Sequence, residues 1–326
     1  MRAVRNAERW ASNLCDLQRR MIVQKILTGA QMAQYQRDGY VVVRDVVQPA
    51  QLAELRRVTD EYVEGSRAVS KHDSVYDLEP GHSAEQPRVR RIKHPHKQHP
   101  AYKQLVSHPT IIGVLQDLWG PDIRFHSSKL NMKSAGFGSP IEWHQDWAFY
   151  PHTNEDLAAV AIMLDDCQME NGPLLVIPGS HRGPIYDHHY ECHFCGAIHP
   201  VTSGLDFSKA VPLTGKAGSI TVHHVRAIHG SAPNLSPIDR RLMFFQYGAA
   251  DAWPIFRVPT DIDAWNAKMI CGKADNQPRM EAVPVRIPLP SSQGDGSIYV
   301  RQEDLGVRYF SGEKPAQKVL APEIAR

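Results

Sequence analysis

The sequence predicts a mainly β protein with flanking helices, in which helices come first and a closed or double-sheet β architecture follows. Three observations carry this. Between about residues 121 and 250, short apolar runs recur, separated by Gly, Pro and Asn. Ahead of them lie helix-period segments with start and stop signals. No internal repeat or low-complexity tract interrupts either part. The expected organisation is an extension over residues 1–27, a single domain over 28–290 with its β core at about 121–250, and a peripheral C-terminal tail over 291–326.

Each element has a local reason. Residues 1–20 are arginine-rich, but Glu8 and Asp16 are wrong for a transit peptide, and Met21 offers a more ordinary start. Thr28 can cap a helix over 30–38 that Gly39 stops. Tyr40-Val41-Val42-Val43 is β-branched and reads as a strand. Pro49 opens a second helix over 50–64, with Leu52, Leu55, Val58 and Val63 on one face. Residues 66–87 are polar and turn-rich. The strongest helix signal spans 107–120, with Ile111, Ile112, Val114, Leu115 and Leu118 inside and Gly120 after it. Strands are expected near 123–132, 158–165, 174–177, 219–223 and 241–247. Beyond Pro254 the pattern weakens: Trp265, Met269 and Ile270 hint at a short helix, and 288–297 reads as a loop.

Bulk properties exclude several classes. The 326 residues carry 37 basic and 35 acidic groups, a net charge of +2, so neither nucleic acid nor an anionic membrane is expected as partner. No apolar run approaches the length of a transmembrane helix. Five cysteines, an odd number in a long chain, argue against a disulfide framework and for a reducing cytoplasm.

The chemistry concentrates in Trp143-His144-Gln145-Asp146-Trp147. On an extended backbone His144 and Asp146 point to the same side. A third ligand must come from downstream, where His223, His224 and His229 compete; the Gly230-Ser231 that follows and the spacing to Arg240 favour His229, leaving His224 as a nearby structural group. Two imidazoles and one carboxylate hold one face of an octahedral ion, the set expected of non-haem Fe(II) oxygenases. Arg240, eleven residues after His229, can lie on the next strand of a hairpin and aim into the same cavity. Its planar fork suits a carboxylate, as a dicarboxylate cosubstrate such as 2-oxoglutarate would require. Arg241, its rival, would point to the opposite face.

Two further clusters read as bland. Cys192 and Cys195, with His188, His189, His193 and His199, have zinc-like spacing but no second paired motif, so a pocket-rim loop with free thiols is expected. Arg88 to His94 reads as a solvated strand edge, or as cations beside an acidic small-molecule site; aromatic interleaving for nucleic acid is missing.

Taken in order, Trp143-His144-Gln145-Asp146, Glu170-Asn171-Gly172-Pro173-Leu174, Ile177-Pro178-Gly179-Ser180-His181 and His229-Gly230-Ser231 through Arg240 resemble the phytanoyl-CoA dioxygenase family of Fe(II)/2-oxoglutarate oxygenases, over roughly residues 30–250. The resemblance implies a double-stranded β-helix, a jelly-roll, cupin-like core with its site at one open end. It implies that His144, Asp146 and His229 ligate iron, and that Arg240 clamps the distal carboxylate of 2-oxoglutarate with Ser231 beside it. Asn131 and, by a looser match, Arg91 are implied as further cosubstrate contacts. With O2, the implied reaction hydroxylates a C–H bond and releases succinate and CO2; the carboxylate at Asp146 disfavours the halogenation seen in relatives that lack it. A small organic substrate is favoured over a CoA ester, whose phosphates would call on Arg88, Arg90, Arg91 and Lys93. Two rivals remain: a cupin-like metal enzyme that does not use 2-oxoglutarate, and a non-catalytic metabolite-binding jelly roll.

Overall fold

The computed structural model describes residues 25–287 and 297–310. Readings made for 1–24, 288–296 and 311–326 lie outside the described residues. Helix α1 (Gly29–Asp38) begins as its sequence suggests: Gln31 N donates to Thr28 Oγ1 at 3.2 Å, while Gln31 Oε1 accepts from Thr28 N at 2.9 Å. Gly39 ends it at φ 78°, where an added Cβ would also lie 2.4 Å from the His181 ring, so glycine is required twice over. Strand β1 (Tyr40–Val43) and helix α2 (Pro49–Gly65) follow. Then come β2 (Tyr76–Leu78), β3 (Val89–Lys93), the short helices α3 (Pro95–Gln98) and α4 (Pro100–Leu105), and α5 (Pro109–Trp119).

The β core comprises β4 (Ile123–Lys133), β5 (Ile141–His144), β6 (Leu157–Met163), β7 (Leu174–Val176), the hairpin β8 (His189–Tyr190) and β9 (His193–Phe194), β10 (Val211–Leu213), β11 (Ile220–His224), β12 (His229–Ser231) and β13 (Arg240–Ala249). Helix α6 (Ile262–Asn266), β14 (Met269–Cys271) and α7 (Ile298–Arg301) complete it. Two antiparallel sheets result: β1-β11-β6-β13-β4-β3-β2 with β14 added to β4, and β10-β7-β12-β5. This is the double-sheet jelly roll that the sequence predicts.

The period-2 pattern assigns the faces. On β6, Val160 and Ile162 point outward with Val222, Met243 and Phe245 into the main apolar core, which the α2 and α5 side chains Leu55, Val58, Ile111 and Leu115 close. Ala159, Ala161 and Met163 point inward with Leu242 and Phe244. Small side chains there leave space between the sheets. Burial of one face supports the fold; the unfilled face makes room for a site.

Three expectations change. Residues 89–93 are not a solvated edge but strand β3, held between β2 and β4, with Arg90 and Arg91 buried. The cause is a β-bulge: Asp77 pairs with Arg91 and Leu78 with Val89, leaving Arg90 without a partner across the ladder and turning it inward. Met269 and Ile270 form a strand rather than extending the helix around Trp265. Residues 297–310 are not peripheral. Tyr309 and Phe310 donate backbone N–H bonds to the Glu142 carboxylate, and Gln302 Oε1 accepts from Glu142 N at 2.9 Å, so this stretch docks on β5.

Candidate active site

Strand β5 delivers His144 and β12 delivers His229 as direct cross-strand partners, with ring centroids 4.1 Å apart. Asp146 opens the 3₁₀ turn Asp146–Ala148 just after β5, so its carboxylate swings beneath the two rings. The ligand-type atoms of these three buried side chains lie within 4.8 Å of one another, and no other such group of three or more His, Cys, Asp or Glu occurs among the described residues. The Cys192/Cys195 cluster therefore forms no such metal group: Cys192 is exposed, Cys195 Sγ donates to the His188 carbonyl at 3.3 Å, and the His188 ring bonds Gln145 N and the Tyr186 carbonyl.

Hydrogen bonds aim the rings. His144 Nδ1 donates to the Glu142 carbonyl at 2.8 Å, and His229 Nδ1 to the Ala227 carbonyl at 2.9 Å. With both protons on Nδ1, each Nε2 keeps its lone pair for the centre of the group. Burial, joined for His144 by the neighbouring His229, holds both imidazoles below their ordinary pKa and therefore neutral. Burial alone would raise the Asp146 carboxyl, but the Lys129 ammonium holds it well below the usual carboxylate range. Asp146 Oδ2 is buried without a hydrogen-bond partner. Two neutral imidazole nitrogens and an orphaned carboxylate oxygen fit a divalent cation, and iron(II) in particular.

The large sheet faces this group across a small, partly open pocket of about 20 Å³, lined by Lys129, Asn131, His144, His223, His229, Ser231 and Phe244 among others. Arg240 lies on the same inward face of β13 as Phe244, and its cross-strand partner is Lys133. The guanidinium is buried, its Nε lacks a partner, and no carboxylate reaches it among the described residues. Arg241 points the other way, into Asp165 at 2.8 Å and Asp60 at 2.6 Å. Lys133 Nζ donates to Ser231 Oγ at 2.8 Å and to the Ala232 carbonyl, fixing the serine. Arg91 Nε donates to Asn131 Oδ1 at 2.9 Å, across the β3–β4 register that pairs the two residues, and Arg91 Nη2 has no partner. Of the seven residues singled out in the sequence, Asn131, His144, His229 and Ser231 line this pocket, Asp146 joins through the triad, Arg91 is tied to Asn131, and Arg240 lies on the inward face of β13.

Sequence reasoning missed several neighbours. Lys129 escaped notice although Lys129, Asn131 and Lys133 alternate along β4 as one polar inward face. His223, not His224, is the extra imidazole here: its ring lies 4.5 Å from that of His229 and its Nε2 3.9 Å from Asp146 Oδ2. His224 turns to the opposite face, against His181 and Tyr35. Tyr150, whose hydroxyl accepts from Gln246 Nε2 at 2.6 Å, is held protonated by burial and by the adjacent Asp146 charge. Ile298 of α7 closes one side of the cavity, and Tyr299 lies under Arg90 and Arg91.

Comparison with known proteins agrees with this arrangement. The family described as Phytanoyl-CoA dioxygenase (PhyH) matches residues 35–242. The chain is 35% identical over 284 residues to a probable alpha-ketoglutarate-dependent hypophosphite dioxygenase of Stutzerimonas stutzeri, covering 86% of this chain and 99% of that protein. It is 30% identical over 240 residues to the L-proline trans-4-hydroxylase of Streptomyces griseoviridis, covering 68% and 86% respectively. Among solved structures, EctD from S. alaskensis with bound Fe superposes with a TM-score of 0.58 at 25% identity, covering 71% of this chain and 80% of that one. The same protein with 2-oxoglutarate and 5-hydroxyectoine gives 0.56 at 26% identity, covering 70% and 78%. By motif order, fold and ligand geometry alike, the chain belongs to the phytanoyl-CoA dioxygenase family and is an iron- and 2-oxoglutarate-dependent dioxygenase.

Proposed function

We propose that His144, Asp146 and His229 hold the iron, that Arg240 and Ser231 seat the distal carboxylate of 2-oxoglutarate, and that Asn131, backed by Arg91, contacts the cosubstrate nearer the metal. The observation that carries this is the buried triad, with both Nδ1 protons tied to backbone carbonyls and Asp146 Oδ2 left over. Bound there, iron(II) and 2-oxoglutarate supply the activation of O2 that turns R–H, O2 and 2-oxoglutarate into R–OH, succinate and CO2. The chain's own part is placement. The cross-strand pair sets the spacing of the imidazoles, and the Lys133 ammonium holds the Ser231 hydroxyl so that its proton is free for an incoming carboxylate. Tyr150 and Gln246 brace the region of Asp146, and Ile298 with Tyr299 restricts water at one side.

The substrate is a small free molecule rather than a CoA ester, supported by the small volume of the pocket beside the triad and by relatives named for L-proline and ectoine. A second reading is favoured by the relative named for hypophosphite, which shares nearly its whole length with this chain: the bond hydroxylated is then P–H instead of C–H. A reducing cytosol suits both a ferrous enzyme and the thiols Cys167, Cys192 and Cys271.

The test is succinate formation from 2-oxoglutarate with added Fe(II), comparing the wild type with His144→Ala and Arg240→Ala. Iron-dependent succinate that vanishes in the first variant and needs far more 2-oxoglutarate in the second is expected. Turnover that ignores Arg240 would instead identify a metal enzyme that does not use this cosubstrate.

A further inference from the structure

The inner face of the large sheet carries two polar side chains that the reading above leaves without a task. In the register of the sheet, Thr221, Ala161, Phe244 and Lys129 form one row across β11, β6, β13 and β4. His223, Ala159 and Gln246 begin the next. Paired residues share a face, so Lys129 and His223 look into the same cavity from opposite sides of a floor kept low by two alanines. Both line it together with His144 and His229.

Neither group is satisfied. Lys129 makes no hydrogen bond and no ion pair within 4 Å among the described residues; its ammonium lies 5.4 Å from the Phe244 ring and acts on Asp146 only at longer range. His223 is fully buried and neither ring nitrogen makes a hydrogen bond, its Nε2 lying 3.9 Å from Asp146 Oδ2. A half-buried ammonium and a buried imidazole without hydrogen-bond partners cost free energy that a ligand can recover. Formal charge points the same way. Iron(II), the Asp146 carboxylate, a 2-oxoglutarate dianion and the Arg240 guanidinium sum to zero, while Arg91 faces Asp77, which Lys93 also reaches at 3.0 Å. Lys129 and Lys133 are cations beyond that sum, and of the two Lys133 is tied to Ser231 and the Ala232 carbonyl while Lys129 has no hydrogen bond among the described residues. Asp146, the nearest anion, is already committed to the ion.

We propose that Lys129 and His223 form a two-point clamp for a small monoanionic substrate, an oxyanion of the phosphinate or carboxylate class, held over the Ala159–Ala161 floor next to the iron. Lys129 supplies the charge, and His223 donates one ring N–H to a second oxygen. The pair would distinguish charged from neutral substrates, and the alanines would set how large the substrate can be. The inference rests on the iron and 2-oxoglutarate assignment and specifies its substrate.

Anaerobic calorimetry on the Fe(II)- and 2-oxoglutarate-loaded enzyme tests it, with hypophosphite and acetate as the two anionic arms and acetamide as the neutral comparison. The wild type is expected to bind at least one anion and not acetamide. Lys129→Met should weaken anion binding by about tenfold to a hundredfold, with Lys129→Arg restoring most of it, and His223→Phe by several-fold. Titration of 2-oxoglutarate into the Fe(II) enzyme is the second readout and should shift by less than about twofold in each variant. The clamp is overturned if neither anion binds, if acetamide binds equally well, or if Lys129→Met weakens 2-oxoglutarate while sparing the anion. Failure of the wild type to bind 2-oxoglutarate at all would sink the underlying assignment instead, so the two failures are distinguishable.

Discussion

Replacing Arg240 by methionine should move cosubstrate affinity and fold stability in opposite directions. Met keeps much of the side-chain volume and removes the charge. In the proposed complex the guanidinium makes two charge-assisted hydrogen bonds to the distal carboxylate, each worth about 1.5–3 kcal/mol. Losing the pair, with some recovery from Ser231 and the nearby Lys133, leaves a deficit of roughly 3–4 kcal/mol, or about 150- to 1,000-fold in the 2-oxoglutarate dissociation constant. Without cosubstrate the arithmetic reverses. Arg240 is then a buried cation whose Nε has no partner and which no carboxylate reaches among the described residues, and burial pulls its pKa down, the signature of a charge held at a cost. The ligand-free Met variant should therefore melt at the same temperature as the wild type or higher. Calorimetric titration of 2-oxoglutarate gives the first quantity and differential scanning calorimetry of the ligand-free proteins the second. An unchanged 2-oxoglutarate affinity would refute the clamp, and a melting temperature lowered by several degrees would refute the claim that the cation is structurally uncompensated.

Three other expectations are simpler. Adding Fe(II) anaerobically should raise the melting temperature of the wild type, since the ion binds only the folded triad, and do nothing measurable for His144→Ala. Acid should destabilise the fold early: burial holds His152 down to about 4 and His224 down to about 3, both neutral in the native state. An unfolded histidine titrates near ~6.5, so between that pH and the native values the unfolded chain binds more protons and stability falls as pH falls. Each contributes up to ~2 kcal/mol at pH 5, and a urea midpoint equal at pH 5 and pH 7 would count against it. Finally, Gly230→Ala would place a Cβ 3.0 Å from the Phe310 ring and 3.1 Å from the Ile141 carbonyl, between His229 and Ser231. We expect a loss of about 1–3 kcal/mol with weaker iron binding, and a variant with wild-type melting and iron affinity would show that residues 297–310 do not brace the site.

Much of the architecture was legible because it is local. Thr28 and Gly39 bracket α1 through their own hydrogen bond and φ angle, and the β-branched and apolar runs mark β1, β4, β6, β11 and β13 within a residue or two. The pair His144 and Asp146 was readable for the same reason, as two side chains on one short extended stretch followed by a turn. Short strands were not. β2, β5, β10 and β12 are three or four residues long, too short to show a period, and are strands because neighbours supply their hydrogen bonds. The basic stretch at β3 misled because three cations in five positions imply solvent, whereas the bulge and the partner strands bury Arg90 and Arg91.

Composition and motif order by themselves determined the protein's class: a helix-flanked β core, a two-histidine, one-carboxylate metal set, and an arginine placed for a dicarboxylate. Only the tertiary structure decided which face of each strand looks inward. That choice separates His223 from His224 and Arg240 from Arg241, brings Lys129 beside Asp146, and folds the segment of Ile298 and Phe310 back onto β5. The physical reason is that side chains alternate every residue along a strand, so adjacent residues of the same type have opposite fates. The partner across the ladder, not the residue itself, selects between them.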